Sequence, residues 1–162
     1  MTTTIPILES ERLRLRDHRL EDYRHGAALW GDPNVTRFIG GRPLSREEVW
    51  ARVLRYPGHW VWMGYGYWVV EEKSTGKFVG ELGYANLQRE IQPPVGNLPE
   101  LGWVLATPFH GRGSATEAVQ TVTAWGDQKF GREQTICIID PGHVRSIRVA
   151  EKCGFKESYR AS

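Results

Sequence analysis

The chain has 162 residues, a length typical of a single domain, and 40% of them are hydrophobic while 25% are charged. This composition supports a folded core and excludes a largely disordered chain. Lysine and arginine number 21 against 19 aspartate and glutamate, so the net charge of +2 predicts neither a nucleic-acid-binding nor a polybasic membrane surface. We expect one domain spanning residues 1–162.

The cysteines and the apolar runs indicate the compartment. Cys137 and Cys153 form no CxxC spacing and are too few for a disulfide framework. No apolar run approaches the roughly 18 residues of a membrane span, and the first residues, MTTTIPILESERLRLR, lack the apolar segment of a signal peptide. The histidines form no HExxH pattern, so no metal is expected. We therefore predict a cytoplasmic protein that acts away from membranes.

In the first half of the chain, hydrophobic spacing predicts one strand, then two helices, then a hairpin of two strands. Ser45 and Glu48 match a capping box at the start of the second helix, and Pro57 is expected to end it. The predicted strands are residues 11–16, 65–72 and 78–86, the last two forming a hairpin, and the predicted helices are residues 20–30 and 45–57.

The second half of the chain predicts a crossover between parallel strands. The short apolar run at residues 135–139 suits a buried parallel strand that follows a helix. The predicted elements are a loop at residues 87–99, strands at 100–105 and 135–139, helices at 114–131 and 146–153, and a further strand beginning at residue 155. This order favours a mixed α+β domain.

A glycine-rich loop, HGRGSATEA at residues 110–118, lies between a predicted strand and a predicted helix. Small residues at a helix start leave backbone N–H groups and the positive end of the helix dipole open to an anion. Glycine lets the main chain approach a phosphate closely, and Arg112, Ser114 and Thr116 can add donors. A pyrophosphate would fit, and a simple tight turn is the alternative.

Other phosphate-binding and nucleophile motifs do not match this loop. The dinucleotide pattern GxGxxG fails because Thr116 stands at the third glycine. GxxxxGK followed by Ser or Thr is absent, and Ser114 is not at the centre of GxSxG. A nucleotide-binding regulatory domain therefore rests on the glycine loop alone.

Three stretches together resemble the GNAT superfamily of acetyl-CoA-dependent N-acetyltransferases, in its RimJ/RimL-like branch. They are SERLRLRDHRLEDY (10–23), ELGWVLATPFHGRGSATEA (100–118) and DPGHVRSIRVAEKCGF (140–155), in the family's order and spacing. The resemblance implies a three-layer fold: a mixed, mainly antiparallel sheet flanked by helices and splayed between strands four and five. It further implies that acetyl-CoA is the co-substrate, bound in that gap.

The resemblance also implies which residues hold acetyl-CoA. They are the backbone of Val104 and Leu105 for the pantetheine, His110, Gly111, Arg112, Gly113, Ser114, Ala115 and Thr116 for the pyrophosphate, and His143 in the last motif.

The sequence departs from the family pattern at several of its motif positions. His110 stands where the family often has Gln or Arg, His143 where it often has Asn, and Ala150 where many members carry a Tyr proton donor. The chain stops at Ser162, so the usual final strand is expected to be missing.

Two residues are candidates for the chemistry of direct acetyl transfer to a primary amine. Glu100 looks like the position proposed as general base in the family, and a solvated or paired carboxylate is the alternative. Ser146 matches a serine of the RimL-like branch that would protonate the leaving thiolate, although it could simply cap the last helix.

The acceptor amine is predicted from weaker signals. Trp60, Trp62 and Tyr65, within HWVWMGYGYW at residues 59–68, would line an acceptor pocket, and core packing is the alternative. We expect a protein N-terminal α-amine or a small polyamine-like or aminoglycoside-like amine, and the prediction allows for a homodimer. A non-catalytic acetyl-CoA-binding sensor or scaffold is the competing hypothesis, because three polar family positions are altered.

Overall fold

The structure, a computed structural model, describes residues 4–162. One antiparallel sheet has the order β1-β2-β3-β4-β5. Its strands are β1 (Leu8–Glu9), β2 (Leu13–Arg16), β3 (Tyr67–Glu72), β4 (Phe78–Ala85) and β5 (Glu100–Leu105). The helices are α1 (Tyr23–Trp30), α2 (Pro33–Thr36), α3 (Arg46–Met63), α4 (Ser114–Phe130) and α5 (Val144–Lys152). This helix-flanked open sheet confirms the predicted α+β class.

Helix α3 begins as the sequence predicts but does not end there. The Ser45 hydroxyl accepts from the Glu48 N–H at 3.2 Å, and the Glu48 carboxylate accepts from the Ser45 N–H at 3.0 Å. The predicted stop at Pro57 is wrong, because the helix continues to Met63. An internal proline costs a helix about 3 kcal/mol, and burial of Tyr56 and Trp60 around it offsets that cost.

The core lies on both faces of the sheet. On one face α4 packs over a cluster in which the Trp68 ring meets those of Trp60 and Trp125 edge to face, each at 5.0 Å. On the other face, Val49 and Val53 of α3 pack in a second cluster around Val104. None of the helices in residues 4–162 has the length and apolarity that crossing a membrane requires.

The sheet opens beyond the first residues of β5. The Leu101 N–H donates to the Ile136 carbonyl at 2.7 Å, the Ile136 N–H donates to the Pro99 carbonyl at 3.0 Å, and Glu100 and Ile136 form a single parallel bridge. From there β5 and the segment at residues 137–139 diverge. The predicted opening of the sheet is therefore present. Because the short β1 counts as a strand, the strand beside the opening is the fifth along the chain and not the fourth.

Two predicted strands do not form within residues 4–162. Residues 135–139 make only the Ile136 bridge, and residues 155–162 form neither helix nor strand. Without an outer neighbouring strand, the 135–139 segment has no second ladder to hold it straight. Residues 155–162 instead follow the surface, where Gln92 and Ser162 exchange two backbone hydrogen bonds of 3.2 and 3.1 Å.

Candidate active site

The opening beside β5 exposes backbone groups of its second half. The Ala106 N–H donates to Val79 of β4 at 2.8 Å, whereas the Leu101 N–H donates to Ile136 on the opposite side. Because peptide groups alternate along a strand, those of odd-numbered residues in β5 face the gap and those of even-numbered residues face β4.

This alternation separates the two residues predicted to hold pantetheine. Leu105 turns its peptide groups to the gap, as does Trp103. Val104 pairs in register with Glu81 of β4, so its backbone is not free there, and the prediction for its backbone is wrong. The Val104 side chain nevertheless lies in the wall of the site.

The glycine loop leads into α4 with open N–H groups. Gly113 is the N-cap with φ of 77°, a left-handed conformation that favours glycine, and among residues 4–162 no side chain caps the first turn. Gly111 also has a positive φ, of 75°. The first turn of a 17-residue helix is thus open to an anion.

Arg12, which the sequence analysis missed, fixes this loop from the start of β2. Its Nε donates to Glu117 in the first turn of α4 at 2.7 Å, and its Nη1 donates to the Arg112 carbonyl at 3.0 Å. Glu117 also accepts from the Arg12 N–H at 2.9 Å. An acidic residue in the first turn would repel a phosphate, and this pairing neutralises it. The loop-to-Arg12 distance of 100 residues leaves no local signal of the contact.

The loop and α5 enclose a cleft of about 1010 Å³, called the basic cleft below. Gly111, Gly113, Ser114, Ala115 and Thr116 line one side of it. Its cationic side chains, none with an ion-pair partner in residues 4–162, are Arg37, Arg145, Arg148 and Lys152, and no carboxylate lines it. Such a cleft suits a ligand with several phosphates.

Two side chains of the predicted pyrophosphate set have other contacts. His110 lines the cleft, but its Nε2 hydrogen-bonds the Leu105 carbonyl at 2.8 Å and its Nδ1 lies 3.3 Å from Arg145 Nη1. The imidazole therefore links β5 to α5. The Arg112 guanidinium lies over the Phe109 ring, 5.5 Å from its centroid.

A second cavity of about 290 Å³, called the inner pocket below, lies between α3 and the β5 and α5 side of the gap. Trp30, Tyr56 and Tyr67 form aromatic parts of its wall. Arg52 and Arg55 of α3 and Arg89 of the 87–99 loop also line it, and the sequence analysis missed all three. The only signal was the three-residue spacing of Arg52 and Arg55 beside the apolar face of α3.

Glu100 lies in the inner pocket in a bidentate ion pair. Arg89 Nε donates to Glu100 Oε1 and Arg89 Nη2 donates to Glu100 Oε2, both at 2.8 Å. The Glu100 side chain is 8% exposed. The pair raises the pKa of Arg89 through its hydrogen bonds with Glu100. A carboxylate has about four acceptor sites, so two remain for a water or an amine.

Ser146 and His143 lie where the two cavities meet, since both residues line both of them. Ser146 Oγ is 3.2 Å from His143 Nε2, and the His143 ring stacks on Phe38 at 5.1 Å. Burial, then the nearby charges of His110 and Arg145, lower the pKa of His143. The imidazole is therefore largely neutral near pH 7 and can hold the serine hydroxyl as donor or acceptor.

A buried network supports the wall of the inner pocket. Glu81, 1% exposed, accepts from Trp30 Nε1 at 2.8 Å and from Tyr56 OH at 3.0 Å, and it lies 2.6 Å from His18 Nε2. Burial by itself would raise the pKa of Glu81, but the His18 hydrogen bond and charge lower it below its usual value. The network fixes Trp30 and Tyr56 in place.

The three aromatic residues predicted to line the acceptor pocket lie elsewhere. Trp60 and Tyr65 belong to the core, 2% and 7% exposed, and Trp62 is 86% exposed on α3. The sequence did not show which of these residues face the core and which face solvent. The continuation of α3 past Pro57 turns Trp60 inward and Trp62 outward. Core packing explains two of them. In residues 4–162 no group of three or more His, Cys, Asp or Glu is placed to hold a metal ion.

Comparison with known proteins bears on this geometry. The chain is 34% identical over 160 residues to the uncharacterised protein YkkB of Bacillus subtilis (strain 168), covering 93% of this chain and 86% of YkkB. A solved structure described as a GNAT-family acetyltransferase from Bordetella pertussis superposes with a TM-score of 0.83 at 27% identity, covering 96% of this chain and 91% of that one.

More distant solved structures share the fold. Spermidine N-acetyltransferase from Vibrio cholerae, in complex with CoA and spermine, has a TM-score of 0.72 at 17% identity, covering 93% of this chain and 84% of that one. An acetyltransferase from Salmonella typhimurium that modifies the N-terminal serine of a 50S ribosomal subunit protein has a TM-score of 0.72 at 16% identity, covering 93% and 85%.

The family model described as an acetyltransferase (GNAT) domain matches residues 12–156, from the arginine that holds the glycine loop to the end of the last motif. The chain therefore belongs to the GNAT acetyltransferase family, whose members transfer an acetyl group from acetyl-CoA to an amine.

Proposed function

We propose that this acetyltransferase acts on a protein N-terminal α-amine or on a small primary amine, by direct attack of the amine on the acetyl group. One observation carries the proposal. The basic cleft and the inner pocket meet at Ser146 and His143, beside the exposed peptide groups of β5. Two substrates that enter from opposite sides would meet there.

The residues of the basic cleft suit acetyl-CoA, which supplies an activated acetyl thioester. The open first turn of α4 would hold the pyrophosphate on the N–H groups of residues 113–116. Arg145, Arg148 and Lys152 add positive charge without competing carboxylates. The gap-facing N–H of Leu105 and the peptide of Trp103 are the backbone groups placed to bind an amide or polarise a carbonyl.

Glu100 is the proposed general base of the inner pocket. Its pair with Arg89 fixes the carboxylate and leaves acceptor sites for a water or the attacking amine. A lysine-like amine has a pKa of about 10.4 and an α-amine about 7.7–8.0, so an α-amine needs much less help from a base that is already paired. The Arg89 pair thus favours the α-amine.

Ser146 is the proposed donor to the leaving thiolate, with His143 as a positioning residue. The 3.2 Å contact to His143 Nε2 orients the hydroxyl at the junction of the cavities. A thiol has a pKa near 8.5, so its thiolate is a fair leaving group and modest help suffices. Ser146 does not cap α5, whose N-cap is His143.

The finer assignment to the RimJ/RimL-like branch, and to the cytoplasm, is also a proposal. Its support is the motif pattern together with structural neighbours that modify spermidine or a ribosomal protein N-terminus. The non-catalytic sensor has no comparable support, because a binding module would not need an inner pocket that opens onto the cofactor cleft.

An acceptor panel scored by thiol release tests the proposal. It includes peptides with free N-termini, the same peptides blocked at the N-terminus but carrying lysine, polyamines, aminoglycosides and free amino acids. We expect release with free α-amines or small amines and none with blocked lysine peptides. Acetylation of blocked lysine peptides alone would overturn the acceptor class. Acetyl-CoA binding with no release for any amine would favour the sensor.

A further inference from the structure

Among the residues that line the inner pocket, arginines outnumber carboxylates by three to two. Arg89 is neutralised by Glu100, but Arg52 and Arg55 have no ion-pair partner in residues 4–162. The remaining carboxylate of the lining, Asp140, is exposed and accepts a backbone N–H from Gly142 at 2.7 Å. Two guanidinium groups on one helix therefore face a shared cavity.

Arg52 has a side-chain donor that no acceptor within residues 4–162 satisfies. Its guanidinium lies over the Trp30 ring, 4.0 Å from the centroid, and its Nε is buried and has no hydrogen-bond partner among residues 4–162. The nearby carboxylate of Glu81 is already bound by Trp30, Tyr56 and His18. A buried donor left unpaired costs free energy, and an anion in the cavity would stabilise the guanidinium that carries it.

Arg55 lies about one helical turn further along α3, where it lines the inner pocket and is exposed to solvent. Loss of hydration, and then the charge of Arg52, lower its pKa. Each guanidinium thus opposes the other, and an anion between them would relieve that repulsion. The planar N–H fork of arginine matches the two oxygens of a carboxylate.

We propose that the acceptor is a primary amine that carries a carboxylate close to the amine, with the carboxylate bound by Arg52 and Arg55. This rests on the proposed function, since the amine must reach Glu100 and Ser146 across the inner pocket. The cavity of about 290 Å³ is of the size of an amino-acid-like molecule, and its aromatic wall suits an apolar side chain. A polyamine, with charge of the wrong sign, is repelled.

The test compares acids with their neutral amides. Several α-amino acids, the same amino acids as α-amides, and spermidine are assayed by thiol release, over a pH range that corrects for the different amine pKa values. Peptides with an acidic or a neutral N-terminal residue form a second arm. We expect kcat/KM about tenfold to a hundredfold higher for the carboxylate-bearing member of a pair. The second arm shows whether the carboxylate belongs to a free amino acid or to a peptide, and a preference for the acid in either arm supports the proposal.

Arg52→Gln and Arg55→Gln should each raise KM for the acid by about tenfold or more and leave KM for the amide unchanged. The matched control is Arg24→Gln, an exposed arginine of α1 that lines neither cavity. All three variants should keep the rise in melting temperature caused by acetyl-CoA, which shows that they fold.

Direct calorimetric binding of the amino acids to the protein saturated with CoA separates the two proposals. Thiol release with equal kcat/KM for acid and amide, or a preference for spermidine, overturns the carboxylate site and leaves acetyl transfer intact. Arg52-dependent binding of amino acids without thiol release supports the carboxylate site and overturns transfer. Neither binding nor release overturns both.

Discussion

The basic cleft and the inner pocket differ in how the chain builds them. The basic cleft depends on backbone N–H groups of one contiguous segment, residues 110–116, and on cations of α5. The inner pocket depends on side chains from α3, β3, β5 and the 87–99 loop, which are far apart in sequence. A ligand bound by backbone can be predicted from a local pattern, whereas one bound by converging side chains cannot.

The two regions also differ in charge balance. In the part of the chain that the structure describes, the basic cleft has four cations and no carboxylate, so it suits a ligand with several negative charges. The inner pocket pairs one arginine with Glu100 and leaves two without an ion-pair partner in residues 4–162. It therefore suits a ligand with less negative charge and a group that can be deprotonated.

The largest effect is expected from Gly113→Asp in the basic cleft. A residue other than glycine at φ of 77° is strained by about 1–2 kcal/mol, and the new carboxylate opposes the phosphates. The variant should lose the rise in melting temperature that acetyl-CoA causes. Gly76→Asp is the matched control, because Gly76 has φ of 72°, lies in the β3–β4 turn and has open space around it, whereas a Cβ at Gly113 would lie 3.6 Å from Arg12 Nη2, an ordinary van der Waals contact. An intact rise in Gly113→Asp would remove the pyrophosphate from this loop.

Glu100→Gln tests the inner pocket next. It should lower kcat about a hundredfold near pH 7 and leave acetyl-CoA affinity unchanged, because proton removal belongs to the chemical step. Activity should return as pH rises and more of the amine is free. Glu90→Gln changes an exposed carboxylate on the same loop as Arg89 and should have no effect. Full turnover of Glu100→Gln at pH 7 would exclude it as the base.

Arg12→Gln should have a smaller effect, confined to the basic cleft. It removes the ion pair that neutralises Glu117 in the first turn of α4. Exposed pairs of this kind contribute about 0.2–1 kcal/mol, so acetyl-CoA should bind up to about fivefold more weakly. Arg14→Gln removes a similarly exposed arginine from its pair with Glu9 and should leave the affinity unchanged. Equal affinities in the two variants would show that the Arg12 contact does not prepare the loop.

Trp62→Ala should have the smallest effect. Its side chain is 86% exposed and outside both cavities, so KM for the acceptor and for acetyl-CoA should be unchanged in steady-state kinetics. A raised KM for the acceptor alone would return this residue to the binding site and would mean that the acceptor site extends beyond the inner pocket.

The sequence predicted the elements that local hydrogen bonding and spacing define. The Ser45 capping box, the β3–β4 hairpin and the glycine loop leading into α4 all lie where the pattern predicts. The prediction from sequence failed where contacts with a distant part of the chain decide whether an element forms or where it ends. Pro57 does not end α3, because burial on both sides offsets its cost, and residues 135–139 lack the outer strand that would complete a ladder.

The sequence by itself determined the fold class and the open helix start at Gly113, because backbone conformation and N–H exposure there depend on adjacent residues. Only the tertiary structure decided which peptide groups of β5 face the gap, that Arg89 pairs with Glu100, and that Arg52 and Arg55 have no ion-pair partner within residues 4–162. These contacts join segments whose distance in space is set by the packing of helices on a sheet. A local sequence pattern does not show which distant segments come together. The residues proposed to select the acceptor could therefore be identified only from the folded chain.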